Sequence, residues 1–390
     1  MGTAAGTGGA RVAELRKARA LTQMALARRA GVSVSLLSKI EVGDRTLSPG
    51  VAAAFARGLQ ISLGALYGEA KVAEDQGALL QDLRAAVRRY DVPDQAFVLE
   101  CAQLRNDLDE AIALREQSDH AGLLRMLPGL LTQATTYAHA AANSQGWAML
   151  ADVYSVVYWL AARNRWMDLV EVAPARQGWA AGQQPNPVVT AVAARDRAGS
   201  FLNCGDFDGG LAVVDRAVVA AEAALSGPEK AFATGTLHLR GMTLAGRRGD
   251  RAEAQRHIDA ACTAAAEFPD DLHRHNQIFG PANTATHVLA TQGDLGRPRD
   301  VIRLAGELAS IDTGLPPTRL CPVHINTARA LLDLGDRDGA QSSLLQAWDI
   351  APQGAKIHPM WCEVLRVLIS LHRRSNPQLV QLAQRAGLVG

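Results

Sequence analysis

Nowhere in this chain do about 18 apolar residues run together, so no segment has the length to cross a bilayer, although 48% of the residues are apolar. That combination describes a soluble protein without a membrane partner. Paired cysteines are missing too: Cys101, Cys204, Cys262, Cys321 and Cys362 stand singly in apolar helical contexts, with no CxxC spacing. Such a set supports neither a disulfide framework nor a zinc site, and it reads as reduced core residues. The opening MGTAAGTGGA lacks the charged and apolar regions of a secretory signal. Residues 1–9 read as a disordered leader, and a cytoplasmic location is expected. Signatures of catalysis are absent: there is no GxxxxGK[ST], no GxSxG and no HExxH. The expectation is no enzyme, no cofactor and no metal. His273 and His275, in DDLHRHNQ with Asp270 and Asp271, form the only close histidine pair. At i, i+2 they do not share a helix face, so a solvated loop is the better account than a metal site.

Strand patterns are scarce while Ala, Leu and Arg dominate, and an all-α fold follows. At 390 residues the chain exceeds one small core, so at least two domains are expected. Charge divides it in the same way. Residues 1–70 carry nine Lys and Arg against four Asp and Glu, leaving 31 basic and 35 acidic groups for the rest. A net charge of +1 therefore hides a basic head on a mildly acidic body, and phosphate affinity follows local charge.

Within the head, residues 21–43 (LTQMALARRAGVSVSLLSKIEVG) read as two short helices joined by a tight turn. Thr22 can cap the first, Ser33 the second, and Gly31 supplies the left-handed exit between them. Leu26, Ala27, Val32, Leu37 and Ile40 fall where they meet in a small core. Val34, Ser35, Ser38 and Lys39 remain outward, at the spacing a helix in a major groove presents to DNA.

On these residues the segment from about Gly9 to Gly68 resembles the Cro/repressor-like helix-turn-helix (XRE) family, a five-helix DNA-binding domain expected over 10–70. The resemblance implies that Gln23 contacts phosphate, that Ser33, Val34, Ser35, Ser38 and Lys39 face the groove, and that Arg45 joins the DNA-binding set. It also implies a structural pair between Arg16 and Glu41. Ala25 stands where many members carry a capping glutamate. Gly50, Gly58 and Gly64 sit in or beside the following helices, where a glycine costs about 1 kcal/mol against alanine. A head of marginal stability on its own is expected.

Beyond residue 70, Gly-Asp recurs at 205–206, 249–250, 293–294 and 335–336, separated by 44, 44 and 42 residues. Apolar helical segments precede and follow each pair. Glycine would close helix A and aspartate cap helix B; Asn164-Arg165 and Ser118-Asp119 extend the series as degraded turns. Five or six helix pairs must then stack into a right-handed solenoid with a concave inner face. This resembles the tetratricopeptide class, expected over 71–390. With FGPANTATH at 279–287 and HPMWCEVLRVLISLHRR near the end, the whole is similar to actinobacterial XRE regulators. In plan it is similar to the peptide-sensing (RRNPP-like) regulators.

A concave helical surface can hold a ligand where aromatic walls meet convergent polar groups. Trp147, Tyr154 and Tyr158 share one face of a helix, for which core packing is the competing account. Asn283 and His287 lie one turn apart, and His324 and Asn326 open the next helix A. Resemblance to the peptide sensors makes the two asparagines candidate clamps, while Arg240 could pair with a ligand carboxylate or an acidic neighbour. Two readings stay open. One is a homodimeric, ligand-responsive transcriptional regulator on a palindromic operator in double-stranded DNA, with a peptide or small-molecule effector. The other is a protein-interaction adaptor with a vestigial head.

Overall fold

The computed structural model describes residues 8–68, 76–94, 100–372 and 376–388, and these are helical almost throughout. Most of the expected leader, and the boundary expected near residue 70, lie outside the described residues.

Five helices make the head: α1 (Gly8–Ala18), α2 (Gln23–Ala30), α3 (Val34–Val42), α4 (Pro49–Leu59) and α5 (Leu63–Tyr67). Thr22, Ser33, Ser48 and Ser62 each accept a backbone N–H three residues on, at 3.0 to 3.4 Å. Four helices thus begin with one of their orphan donors satisfied. Gly31 closes α2 at φ 68°. Leu26, Ala27, Leu37 and Ile40 join Val12 and Phe55 in a dry core, with Val32 on its rim.

The body begins with α6 (Gly77–Arg88), which packs on the first two of six helix pairs. The pairs are α7 (Cys101–Glu116) with α8 (His120–Ala141), α9 (Ser144–Asn164) with α10 (Met167–Ala181), and α11 (Pro187–Cys204) with α12 (Phe207–Ala224). They continue as α13 (Gly227–Arg248) with α14 (Arg251–Ala265), α15 (Pro281–Asp294) with α16 (Pro298–Ala309), and α17 (Pro317–Asp333) with α18 (Arg337–Ile350). Then come α19 (Pro352–Ile357), α20 (Pro359–Leu371) and α21 (Pro377–Arg385).

Three Gly-Asp turns form as the spacing predicts. Gly205, Gly249 and Gly335 sit at φ 80°, 82° and 88°, and Asp206, Asp250 and Asp336 each cap the next helix at 2.9 to 3.0 Å. Arg165 and Ser118 take the left-handed position without glycine, at φ 60° and 61°. The fourth repeat departs from expectation. Gly293 and Asp294 remain inside α15, and the left-handed turn moves to Gly296 at φ 72°. Asp294 cannot cap because its carboxylate is taken by Arg247 (3.4 Å) and Arg329 (3.5 Å).

The array closes on itself. Gln353, in α19, donates to Asp119 at 3.1 Å and accepts from Ala121 N–H at 3.3 Å, while Arg165 donates to the Ile357 carbonyl at 2.8 Å. The end of the solenoid therefore meets its first two pairs, and the concave face becomes a walled interior. A short hairpin reaches across it, β1 (Leu272–Arg274) with antiparallel β2 (Gln277–Phe279). This corrects the expectation of a solvated loop. His275 and Asn276 turn the hairpin at φ 47° and 58°, the successive left-handed pair that a two-residue turn requires. Arg115 donates to the Asn276 carbonyl, the Asn276 amide to the Asp152 carbonyl, and His275 Nδ1 lies 3.1 Å from the Asp152 carboxylate. His273 turns the other way, 3.2 Å from Glu116. Among the described residues no helix is long and apolar enough to cross a membrane.

Inside the fourth pair His238 and His257 meet Nδ1 to Nδ1 at 2.9 Å, so one ring donates and the other accepts. Burial first, and the nearby Arg256 second, push both down to about 4. Gly241 leaves room for this contact: a Cβ there would stand 2.3 Å from the His257 ring. Gly241→Ala should therefore destabilise the chain by about 1–3 kcal/mol through overpacking, despite a helix-propensity gain of about 1 kcal/mol, as a denaturant titration would show. The unfolded chain binds these two protons near pH 6.5 and the folded chain only near 4, so stability is lost as pH falls through that window. Thermal melts from pH 7 to 4 should show the decline, with a shallower slope in His238→Gln.

Candidate nucleic-acid interface and interior cavity

α3 owes its position to α1. Gly9 brings the two backbones together, since a Cβ on it would overlap the Ile40 carbonyl. Arg16 on α1 then grips Glu41 through two hydrogen bonds, at 2.7 and 2.9 Å, and donates a third to the Leu21 carbonyl. Side-chain exposures of 9% and 5% make this a buried ion pair. Burial alone would raise the Glu41 carboxyl, but hydrogen bonds from Arg16 and Gln23 outweigh it and hold the group below its usual range. Gln23 is thus part of the clamp, donating to Glu41 at 2.8 Å, with its second amide hydrogen and its carbonyl left over.

With α3 fixed by its inner face, its outer face carries Val34, Ser35 and Lys39 exposed and Ser38 half-buried. Ser33 is exposed and spends its hydroxyl on the cap, and Arg45 is exposed just beyond the helix. Arg28 and Arg29, at the end of α2, are exposed as well. The arrangement is a narrow apolar and hydroxyl-bearing strip flanked by cations, which suits base edges beside phosphates.

The head is docked against the body by close backbone approach. A Cβ on Gly50 would stand 2.6 Å from the Arg247 carbonyl, and one on Gly64 2.7 Å from Met167. Glu363 on α20 accepts from the Gly8 N–H, and Arg165 donates to the Gly68 carbonyl at 2.6 Å. An open groove of about 710 Å³ runs between α4 and the turns at 204–208 and 246–249, and none of the outward residues of α3 lies in it.

Inside the body a cavity of about 250 Å³ is walled by the A helices α9, α11, α13, α15 and α17, by His358 and Met360, and by Pro49 of the head. Of the effector candidates, Tyr158, Arg240, His287 and Asn326 line it. The other four do not. Trp147 packs edge-on against Trp179 and Tyr154 is wholly buried, both within the core of the first pairs. Asn283 is wholly buried, donating to the Ile278 carbonyl and so tying the hairpin to α15. His324 is half-buried, and a hydrogen bond involving Gln346 only partly offsets its burial. Asn326 spends its amide on the Pro322 carbonyl at 2.9 Å.

Sequence reasoning missed Arg163 and Arg319, which line the same cavity. The signal was available, since Arg163 ends an apolar stretch of one A helix (VVYWLAAR) and Arg319 precedes that of another (RLCPV). His287 is held well below its ordinary value by burial first and then by Arg319, Arg195, Arg240 and Arg163, so it faces the cavity as neutral imidazole at pH 7. One further cluster, Asp215, Glu253 and His257, brings three ligand atoms within 4.8 Å of one another. The Arg256 guanidinium already lies among them, 2.8 Å from Asp215.

Residues 9–66 match the family model of the helix-turn-helix domain. No curated protein matches the chain. The solved structures similar to this chain include two with low TM-scores. A complex of Bacillus thuringiensis PlcR with the peptide PapR7 and DNA shares 12% identity over 98% of this chain and 93% of that one, with TM-score 0.32. The apo form of the competence regulator ComR from Streptococcus vestibularis shares 14% identity over 67% of this chain and 93% of that one, with TM-score 0.22.

Gly50→Ala should loosen the head from the body, because the added methyl meets a backbone carbonyl that has no side chain to swing away. Hydrogen–deuterium exchange should quicken at 63–68 and 243–249 while the protection of α1 to α3 is kept.

Proposed function

We propose that this chain is a sequence-specific DNA-binding transcriptional regulator whose repeat body senses a peptide or small-molecule effector and dimerises. The observation that carries this reading is the outward strip of α3, held by a buried Arg16–Glu41 pair inside a segment that matches a helix-turn-helix model and left uncovered by the body. In the docking mode that fits, the N-terminal turn of α3 enters the major groove. Ser35 and Val34 then meet base edges, while Lys39, Arg45 and the free hydrogen of the Gln23 amide meet phosphates. Two such heads on a palindromic operator need their reader helices about 34 Å apart. An effector acts by favouring one spacing over another, and only its differential affinity for the two states does the work.

Gel-shift titrations on genomic fragments at graded salt test this mode. Lys39→Ala should weaken binding to all sequences and lower the salt slope by about 1. Gln23→Ala should weaken binding broadly, while Ser35→Ala should change the ranking of sites. Unchanged affinity in all three variants would remove the docking mode, and a chain that ignores DNA even at low salt would leave the adaptor reading in its place.

A further inference from the structure

The interior cavity is lined by five arginines and one carboxylate. Asp294 answers two of them, Arg247 and Arg329. The side chains of Arg163, Arg240 and Arg319 make no hydrogen bond or ion pair to any described residue, and the Nε atoms of Arg240 and Arg319 are buried without a partner. Arg163 has only the ring of Trp159, 5.7 Å away. The neighbourhood offers little relief, because Asp196 is already held by Arg195 at 2.9 Å and by Ser155 at 2.6 Å. Burial is the largest influence on Arg319, followed by Arg115, Arg195, Arg163 and Arg240, all of which depress it. Guanidinium groups remain charged under such pressure, so the fold holds positive charge that its own residues do not neutralise.

We propose that this cavity binds a compact ligand carrying two or more negative charges on oxygen, of the phosphate or polycarboxylate class, held by Arg163, Arg240 and Arg319. This rests on the reading of the body as a sensor and narrows its effector. Planar, forked donors from three different A helices suit oxygens that diverge from one centre. The volume, about 250 Å³, equals roughly eight waters at ~30 Å³ each and falls below the ~300–1,000 Å³ of a drug-sized site. A small anion fits within it. Occupancy reaches the head directly, since Pro49 is part of the wall and the Arg247 carbonyl is the atom against which Gly50 packs.

The test is calorimetric titration of the full chain with inorganic phosphate, pyrophosphate and citrate at matched ionic strength, with glucose as the neutral control. Saturable binding of one anion per chain is expected, with none for glucose, and the preference between pyrophosphate and citrate assigns the chemical source. Arg240→Met and Arg319→Met should each weaken binding at least tenfold while melting at or above the parent's temperature, because each removes an uncompensated charge. Lys39→Ala should bind the anion unchanged, which separates the cavity from the basic head. Absence of saturable binding for all three anions overturns the proposal, as does undiminished binding in both arginine variants. A large fall in melting temperature in either variant also overturns it, marking that guanidinium as part of the fold. DNA affinity measured in parallel keeps the two readings apart: its loss would remove the regulator and leave the anion site standing.

Discussion

Ring closure governs this molecule. A helix pair buries one face against the next pair and leaves the inner ends of its A helices toward the middle. In an open solenoid water would solvate whatever stands there. Here Gln353 and Ile357 reach back to Asp119, Ala121 and Arg165, and the hairpin at 272–279 fills part of the space between. The inner A-helix residues are thereby half-buried around a partly open cavity, which changes what they cost. A buried polar atom needs a partner and a buried charge needs a counter-charge. Many interior groups find one: Asp196 with Arg195 and Ser155, Asp294 with Arg247 and Arg329, Asn276 with Asp152 and Arg115. Among the arginines that line the cavity, the side chains of Arg163, Arg240 and Arg319 find no acidic partner.

The head depends on the same closure at one remove. Its own core is small, and its helix α3 is fixed by one buried ion pair and one close backbone crossing at Gly9. It is seated on α11, α13 and α20, surfaces whose positions are set by the ring. Gly50 and Gly64, which in sequence look only like weak points in short helices, are where the head's backbone comes close enough to touch. What is lost in helix propensity is returned as contact with the body.

Much of the architecture was legible because it is written in local chemistry. Capping hydroxyls at Thr22 and Ser33, and the Gly-Asp turns at 205, 249 and 335, depend on residues within a few positions of one another. The failures share a cause as well. Asp294 looked like a cap until two arginines, 47 and 35 residues away, claimed its carboxylate. DDLHRHNQ looked like a solvated loop because its partners, Glu116 and Asp152, lie more than 120 positions earlier. Trp147 and Tyr154 share a helix face with Tyr158, yet only Tyr158 reaches the interior, since helix periodicity names a face without saying what covers it. Arg163 and Arg319 passed unnoticed because an arginine flanking an apolar stretch usually snorkels to the outer surface, whereas here both line the interior cavity.

The hydrogen bond between Gly8 and Glu363 joins groups 355 residues apart. Helix pairs assemble from contacts between neighbours and can form one after another, but this bond, like those of Gln353, waits for residues hundreds of positions further along. During synthesis the head emerges first and must persist, exposed along α4 and α5, until the surface that receives it has been made. Its buried ion pair and serine caps therefore matter most in that interval, before any of the long-range contacts exists.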